Sequence, residues 1–199
     1  MSKFSRRTKL IALFVIIVIV AFGVVEFFKA ESNGVPRDFT DARAQGAIIS
    51  ENIVNLSNQS TAQLQQVNQL DKEGNDTQAL TITTTLLANS QELRNQAVSL
   101  SAQVEQMTNS ISGISSIAAQ QDALKAASGE LALITQLVNY SGDLGNLLDA
   151  LESRFTGKGG TNAQIQALVA QVNTDVNAIN NSNTQATQAL AQFDKIEGK

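Results

Sequence analysis

The sequence predicts an all-α protein: one transmembrane helix, then an elongated antiparallel up-down-up-down four-helix bundle. Three observations predict it. Leu10–Phe28 is a stretch of 19 residues, apolar except for Glu26, close to the ~20 that a helix needs to cross a bilayer core. The single proline is Pro36, so no proline interrupts the chain after it; inside a helix a proline costs ~3 kcal/mol. Beyond Pro36, four stretches of similar length carry apolar residues at alternating three- and four-residue spacing, the seam of nearly parallel packed helices.

Residues 1–9 form a basic stub, with Lys3, Arg6, Arg7 and Lys9 and no acid. Lysine and arginine stay on the cytoplasmic side, which puts the N-terminus inside and the bulk of the chain outside the cell membrane. Residues 10–28 are the single-pass anchor. A cleavable signal peptide is the competing reading, with Ala21-Phe22-Gly23 as the small-x-small site. The apolar run continues past that site and exceeds the ~7–15 residues of a signal core, which favours an uncleaved anchor. Cleavage would instead make the bundle a secreted protein. Residues 29–37 are a linker holding the breaker Ser32-Asn33-Gly34-Val35-Pro36. The bundle occupies residues 38–199.

Glycine clusters at Gly74, Gly113 and Gly157–Gly160 divide the bundle into helices at 38–73, 76–111, 116–155 and 162–197. In the first, the expected seam is Ile49, Ile53, Leu56, Ser60, Gln63, Val67 and Leu70. In the second it is Leu86, Leu93, Ala97, Leu100, Val104, Met107 and Ile111. In the third it is Ile117, Leu124, Leu131, Ile134 and Val138, leading into Leu144, Leu148, Leu151 and Phe155. In the fourth it is Ile165, Leu168, Val172, Val176, Ile179, Ala186, Leu190 and Phe193. Asp38 and Asp41 are placed to cap and charge the first helix, Asn75 or Asp76 to cap the second, and Thr161-Asn162-Ala163-Gln164 has the capping-box form. Short connections make neighbouring helices antiparallel. A helix of about 36 residues is about 54 Å long.

Composition excludes much chemistry. The chain has no Cys and no His. It can therefore form no disulfide, thiolate site, Ser-His-Asp triad or imidazole metal site. From Ala30 onward 17 acids stand against 9 bases, a net charge of −8. A nucleic-acid partner is therefore excluded, because phosphate binding needs clustered Lys and Arg. The helix surfaces are coated instead by amides and hydroxyls: 20 Gln, 17 Asn and 32 Ser plus Thr. Chance alone yields roughly half of the five Asn-x-Ser/Thr sequons in a chain this rich in Asn, Ser and Thr, so no glycosylation is read from them. Acids such as Asp71, Glu73, Asp143, Asp149 and Glu152 read as solvated faces, and Gly157–Thr161 as an inter-helix turn rather than a phosphate loop. No catalytic residue, metal or cofactor is expected.

One constellation stands out as a candidate ligand pocket. Helical rise puts Gln63, Thr84, Tyr140 and Asn173 at similar heights, roughly 35–40 Å from the membrane end. Tyr140-Ser141-Gly142-Asp143-Leu144-Gly145 has two glycines inside a helix, where each costs ~1 kcal/mol against alanine. Tyr140 and Asp143 would contact a small polar ligand. Close helix approach or a local kink would explain the glycines without one.

A short basic N-terminus, a membrane helix and four long antiparallel helices resemble the extracytoplasmic sensor bundles of bacterial chemoreceptors and sensor kinases. The resemblance is architectural, spans Met1 to Phe193 and rests on no specific motif. Those receptors add a second membrane helix and a cytoplasmic output module, and neither follows Ile196-Glu197-Gly198-Lys199. The expectation is thus a non-catalytic, membrane-anchored interaction or scaffold module. Its partners would be the bilayer through the N-terminal helix and another protein, with a second copy of the chain a further candidate. The alternative is a sensor-like bundle that binds a small ligand and signals through a separate membrane protein.

Overall fold

A computed structural model describes residues 34–196. The basic stub, the anchor at 10–28 and the first part of the linker lie outside the described residues, as do residues 197–199. Among the described residues, no helix is long and apolar enough to cross a membrane.

The described chain is an all-helical bundle of four helices: α1 (Arg37–Glu73), α2 (Asp76–Ser110), α3 (Ile117–Phe155) and α4 (Asn162–Ile196). A short 3-10 turn, Ile111–Gly113, follows α2. Each boundary has a local cause. The amides of Phe39 and Thr40 bond to the Pro36 carbonyl, so α1 starts on the proline, whose φ of −57° already suits a helix. Asp38 therefore sits in the first turn rather than at the cap. Gly74 ends α1 in the left-handed region, φ 75°, while the Asn75 amide bonds back to the Leu70 carbonyl, the arrangement that closes a helix C-terminus. Asn75 then caps α2 by accepting from the Gln78 amide at 3.3 Å. Ser116 caps α3 through the Ala119 amide, so it precedes that helix rather than belonging to it. Thr161 accepts from the Gln164 amide at 3.2 Å, as its motif predicts.

Consecutive helices fold back along one another. One end is sealed by Phe39, Ala42, Met107, Ile111, Ile114, Ala119, Ala123 and Phe193, drawn from all four helices and the α2–α3 connection. There the Phe39 and Phe193 rings lie 5.5 Å apart. Arg43, nearly fully buried, reaches from α1 to α4, bonding both oxygens of Asp194 at 3.0 Å and covering the Phe193 ring. The incoming chain also packs here, with Pro36 against Gly113. At the opposite end Arg154 of α3 bonds Asp71 of α1 at 3.0 Å and Asn162 of α4. Between the ends one continuous apolar core runs from Ile53 to Ile179.

The predicted seams of α2 and α4 are buried as expected, with Leu168 half-buried. Two others need correction. In α1, Ile49, Leu56 and Gln63 are only half-buried, and the inward line is Gly46, Ser50, Ile53, Ser57, Ser60, Leu64 and Val67. Small hydroxyl residues alternate with Ile53, Leu64 and Val67 along this line, and Ile49 and Leu56 flank it. In α3, Ile117, Leu124 and Leu131 are exposed at 73%, 50% and 46%, while Ala119, Ala123, Ala126, Ala127, Leu133 and Leu137 face inward. The cause is a close contact between α3 and α4. A Cβ on Gly129 would stand 3.0 Å from the Ala186 Cα, and around that contact the small residues Ala119, Ala123, Ala126 and Ala127 fill the inward face.

Candidate functional site

A polar cluster with unmet bonding capacity lies between the upper half of α3 and α4; the buried Ser57 and Ser60 hydroxyls of α1 also have no hydrogen-bond partner. The α3 helix runs unbroken through Tyr140–Gly145, so the two glycines do not mark a helix end. Nor do they mark a close approach: a Cβ at Gly142 or Gly145 would meet nothing within 4 Å. Ser141 turns back onto the Val138 carbonyl at 2.8 Å, and Tyr140 points into the core, where it is fully buried.

Asp175, one of the buried polar residues of α4, completes the cluster. Its carboxyl meets that of Asp143 on α3. Burial pushes Asp175 up to about 6, the hydrogen bond and the negative charge of Asp143 reinforce this, and a hydrogen bond from Gln171 opposes it. A neighbouring carboxyl makes ionising Asp175 more costly. Gln171 Nε2 donates to Asp175 Oδ1 at 3.4 Å, and Asn146 Nδ2 donates to Asp143 Oδ1 at the same distance. Asp175 Oδ2 and the Tyr140 hydroxyl are both buried, and neither has a hydrogen-bond partner when the carboxyls are ionised. Burial first, and then the charge of Asp175, raise the Tyr140 hydroxyl well above the ordinary phenol range, so it stays protonated and neutral.

Of the five residues read from the sequence, the structure joins Tyr140 and Asp143. Gln63 bonds Asn89 of α2 at 3.0 Å, a separate α1–α2 contact. Thr84 is exposed and turns back onto the Leu80 carbonyl. Asn173 is half-buried on α4, and Asp175, two residues on, takes the place expected of it. The sequence did carry a signal for Asp175: it stands one residue before Val176 and three after Val172, on the apolar seam of α4. A second inward acid, Glu130, follows Gly129 on α3, and burial alone pushes it up to about 7. The reading of the acids as solvated faces holds for Glu73, Asp149 and Glu152, which are exposed, but not for Asp71, held in the ion pair with Arg154, or for half-buried Asp143; Glu130 and Asp175 were not singled out from the sequence.

The arrangement can hold and exchange one proton, or present oxygen acceptors to a positively charged group. Among the described residues, no group of three or more His, Cys, Asp or Glu could hold a metal ion. No family model, curated protein or solved structure matches this chain.

Proposed function

We propose that the chain is a membrane-anchored, extracytoplasmic helical-bundle interaction module, non-catalytic, whose partner is another protein. The observation that carries this reading is the line of Ile117, Leu124 and Leu131 standing exposed on α3. Their seven-residue spacing is the period by which one helix meets another in a coiled coil. Exposed neighbours Ala118, Gln121, Ser128 and Ala132 carry no charge, and Lys125 is held by Asp122 at 2.9 Å. A helix laid along this face would meet apolar side chains without burying an unpaired charge. The Leu10–Phe28 segment would hold the bundle at the membrane, with the basic stub inside.

A photoreactive residue placed at position 124 in intact cells tests the reading. One discrete adduct is expected there, and none at position 184, an exposed site on α4. Leu124→Lys should abolish binding of the captured protein to the purified full chain while leaving its helicity intact. Equal labelling at both positions, or unchanged binding by the Lys variant, would refute the assignment. Protease added outside the cells, or outside spheroplasts, should digest the bundle and spare the N-terminus.

The second reading is a ligand-binding bundle that signals through a separate membrane protein. It is favoured by the buried, unpartnered Tyr140 hydroxyl beside the Asp143–Asp175 pair.

A further inference from the structure

We infer that the Tyr140–Asp143–Asp175 cluster between α3 and α4 is a binding site for a primary ammonium group. The inference gives the second reading its ligand class and rests on that reading; it is independent of the exposed stripe on α3.

Two carboxyls from facing helices meet here, yet the ion pairs seen among the described residues engage Asp41, Asp194, Asp122 and Asp71 instead. The pair therefore lacks a cationic neighbour among those contacts. Gln171 and Asn146 each donate to one carboxyl oxygen, which orients the two groups and leaves Asp175 Oδ2 without a donor. The Tyr140 hydroxyl adds a third oxygen, buried and unpartnered, close enough to Asp175 to feel its charge. A primary ammonium brings one positive charge and three N–H donors on a compact centre. That matches the acceptors offered by two carboxyls and a hydroxyl, and bonds between ionised partners are the strong ones. Calcium would need 6–8 oxygen ligands, more than these three side chains supply. A quaternary ammonium has no N–H to give and is held instead by several aromatic faces; Tyr140 is the chain's one tyrosine and there is no tryptophan. The remainder of the ligand has room on the α3 side, where side chains are missing at Gly142 and Gly145.

The same composition supplies the assay, because Tyr140 is the one tyrosine in a chain without tryptophan and reports directly on its own surroundings. The full chain in detergent micelles is titrated with methylammonium chloride at neutral pH and constant ionic strength. Tetramethylammonium chloride and calcium chloride serve as comparisons. Methylammonium should change Tyr140 emission saturably and raise the melting temperature, and tetramethylammonium should do neither. The affinity should fall as the pH drops below about 6, where a proton takes the ammonium's place. Asp175→Asn should weaken binding at least about tenfold, because it removes a charge-assisted hydrogen bond. Asp143→Asn, at a half-buried position, should do the same and serves where the first variant fails to fold. No response to methylammonium, an equal response to tetramethylammonium, or binding retained in both Asn variants would overturn the site. A calcium response in place of methylammonium would overturn the ammonium assignment while leaving a ligand site, and so the sensor reading, standing. Silence from all three salts would remove the support this cluster lends that reading.

Discussion

Replacing Tyr140 by phenylalanine should stabilise this protein, the reverse of what most core substitutions do. The ring of Tyr140 is fully buried and its hydroxyl has no hydrogen-bond partner. An unpaired buried hydroxyl costs ~1–3 kcal/mol by mutational measures. Phenylalanine keeps the ring and its packing and removes that cost. The hydroxyl dipole near Asp175 recovers part of it, so a gain of about 1 kcal/mol is expected. For a domain of this size, that raises the melting temperature by about 2–4 °C. The assay is thermal unfolding followed by far-ultraviolet circular dichroism, since the variant has lost its fluorophore. The same variant should bind methylammonium more weakly, one of the three acceptors having gone. A melting temperature that falls by several degrees would refute the reasoning, because it would mean that the hydroxyl is satisfied in the free protein. A rise in stability with full binding retained would place Tyr140 outside the site.

Three further outcomes are expected. Both Glu130 and Asp175 have folded-state values raised above those of free carboxyls, so the folded chain holds extra protons between about pH 4 and 7. Stability should be highest at the acid end of that window and fall as pH rises through about 6–7. Raising Glu130 from 4.5 to about 7 corresponds to roughly 3 kcal/mol lost above that range, and Glu130→Gln should flatten the upper part of a chemical-denaturation profile against pH. Leu100→Ala, at a position 2% exposed on the α2 seam, should cost ~2–5 kcal/mol; a melting temperature within a degree of the parent would show the seam misassigned. Gly160→Ala should cost ~1–2 kcal/mol or more in the same measurement, since a left-handed φ of 73° disfavours any Cβ and this one would collide with the Ala150 carbonyl.

The four helices and nearly all their ends were legible in the chain before any coordinates. Gly74, Thr161 and the glycines at 157–160 terminate or start helices through contacts within a few residues, and such local chemistry is written in order along the sequence. The α2 seam was equally legible, because Leu86, Leu93 and Leu100 repeat at a spacing that one helix face alone can satisfy. Tyr140 and Asp143 were legible as a pair too, being less than one helical turn apart.

Which face of α1 and α3 turns inward was not. In α3, apolar size singles out Leu124 and Leu131, but the tertiary contact between Gly129 and Ala186 decides how closely α3 and α4 approach. Around that contact alanines fill the inward face, and Leu124 and Leu131 stand towards solvent; in α1 the buried line instead includes Ser50, Ser57 and Ser60. The site's third member had the same origin. Asp175 is separated from Asp143 by the last third of α3, a turn and about the first third of α4, and their meeting depends on the register in which α4 slides along α3. Rise per residue fixes a height to within a turn, which was enough to select α4 and Asn173. It could not distinguish Asn173 from Asp175, because two residues along a helix lie about 200° apart around its axis, and that rotation is set by the packing of the whole bundle.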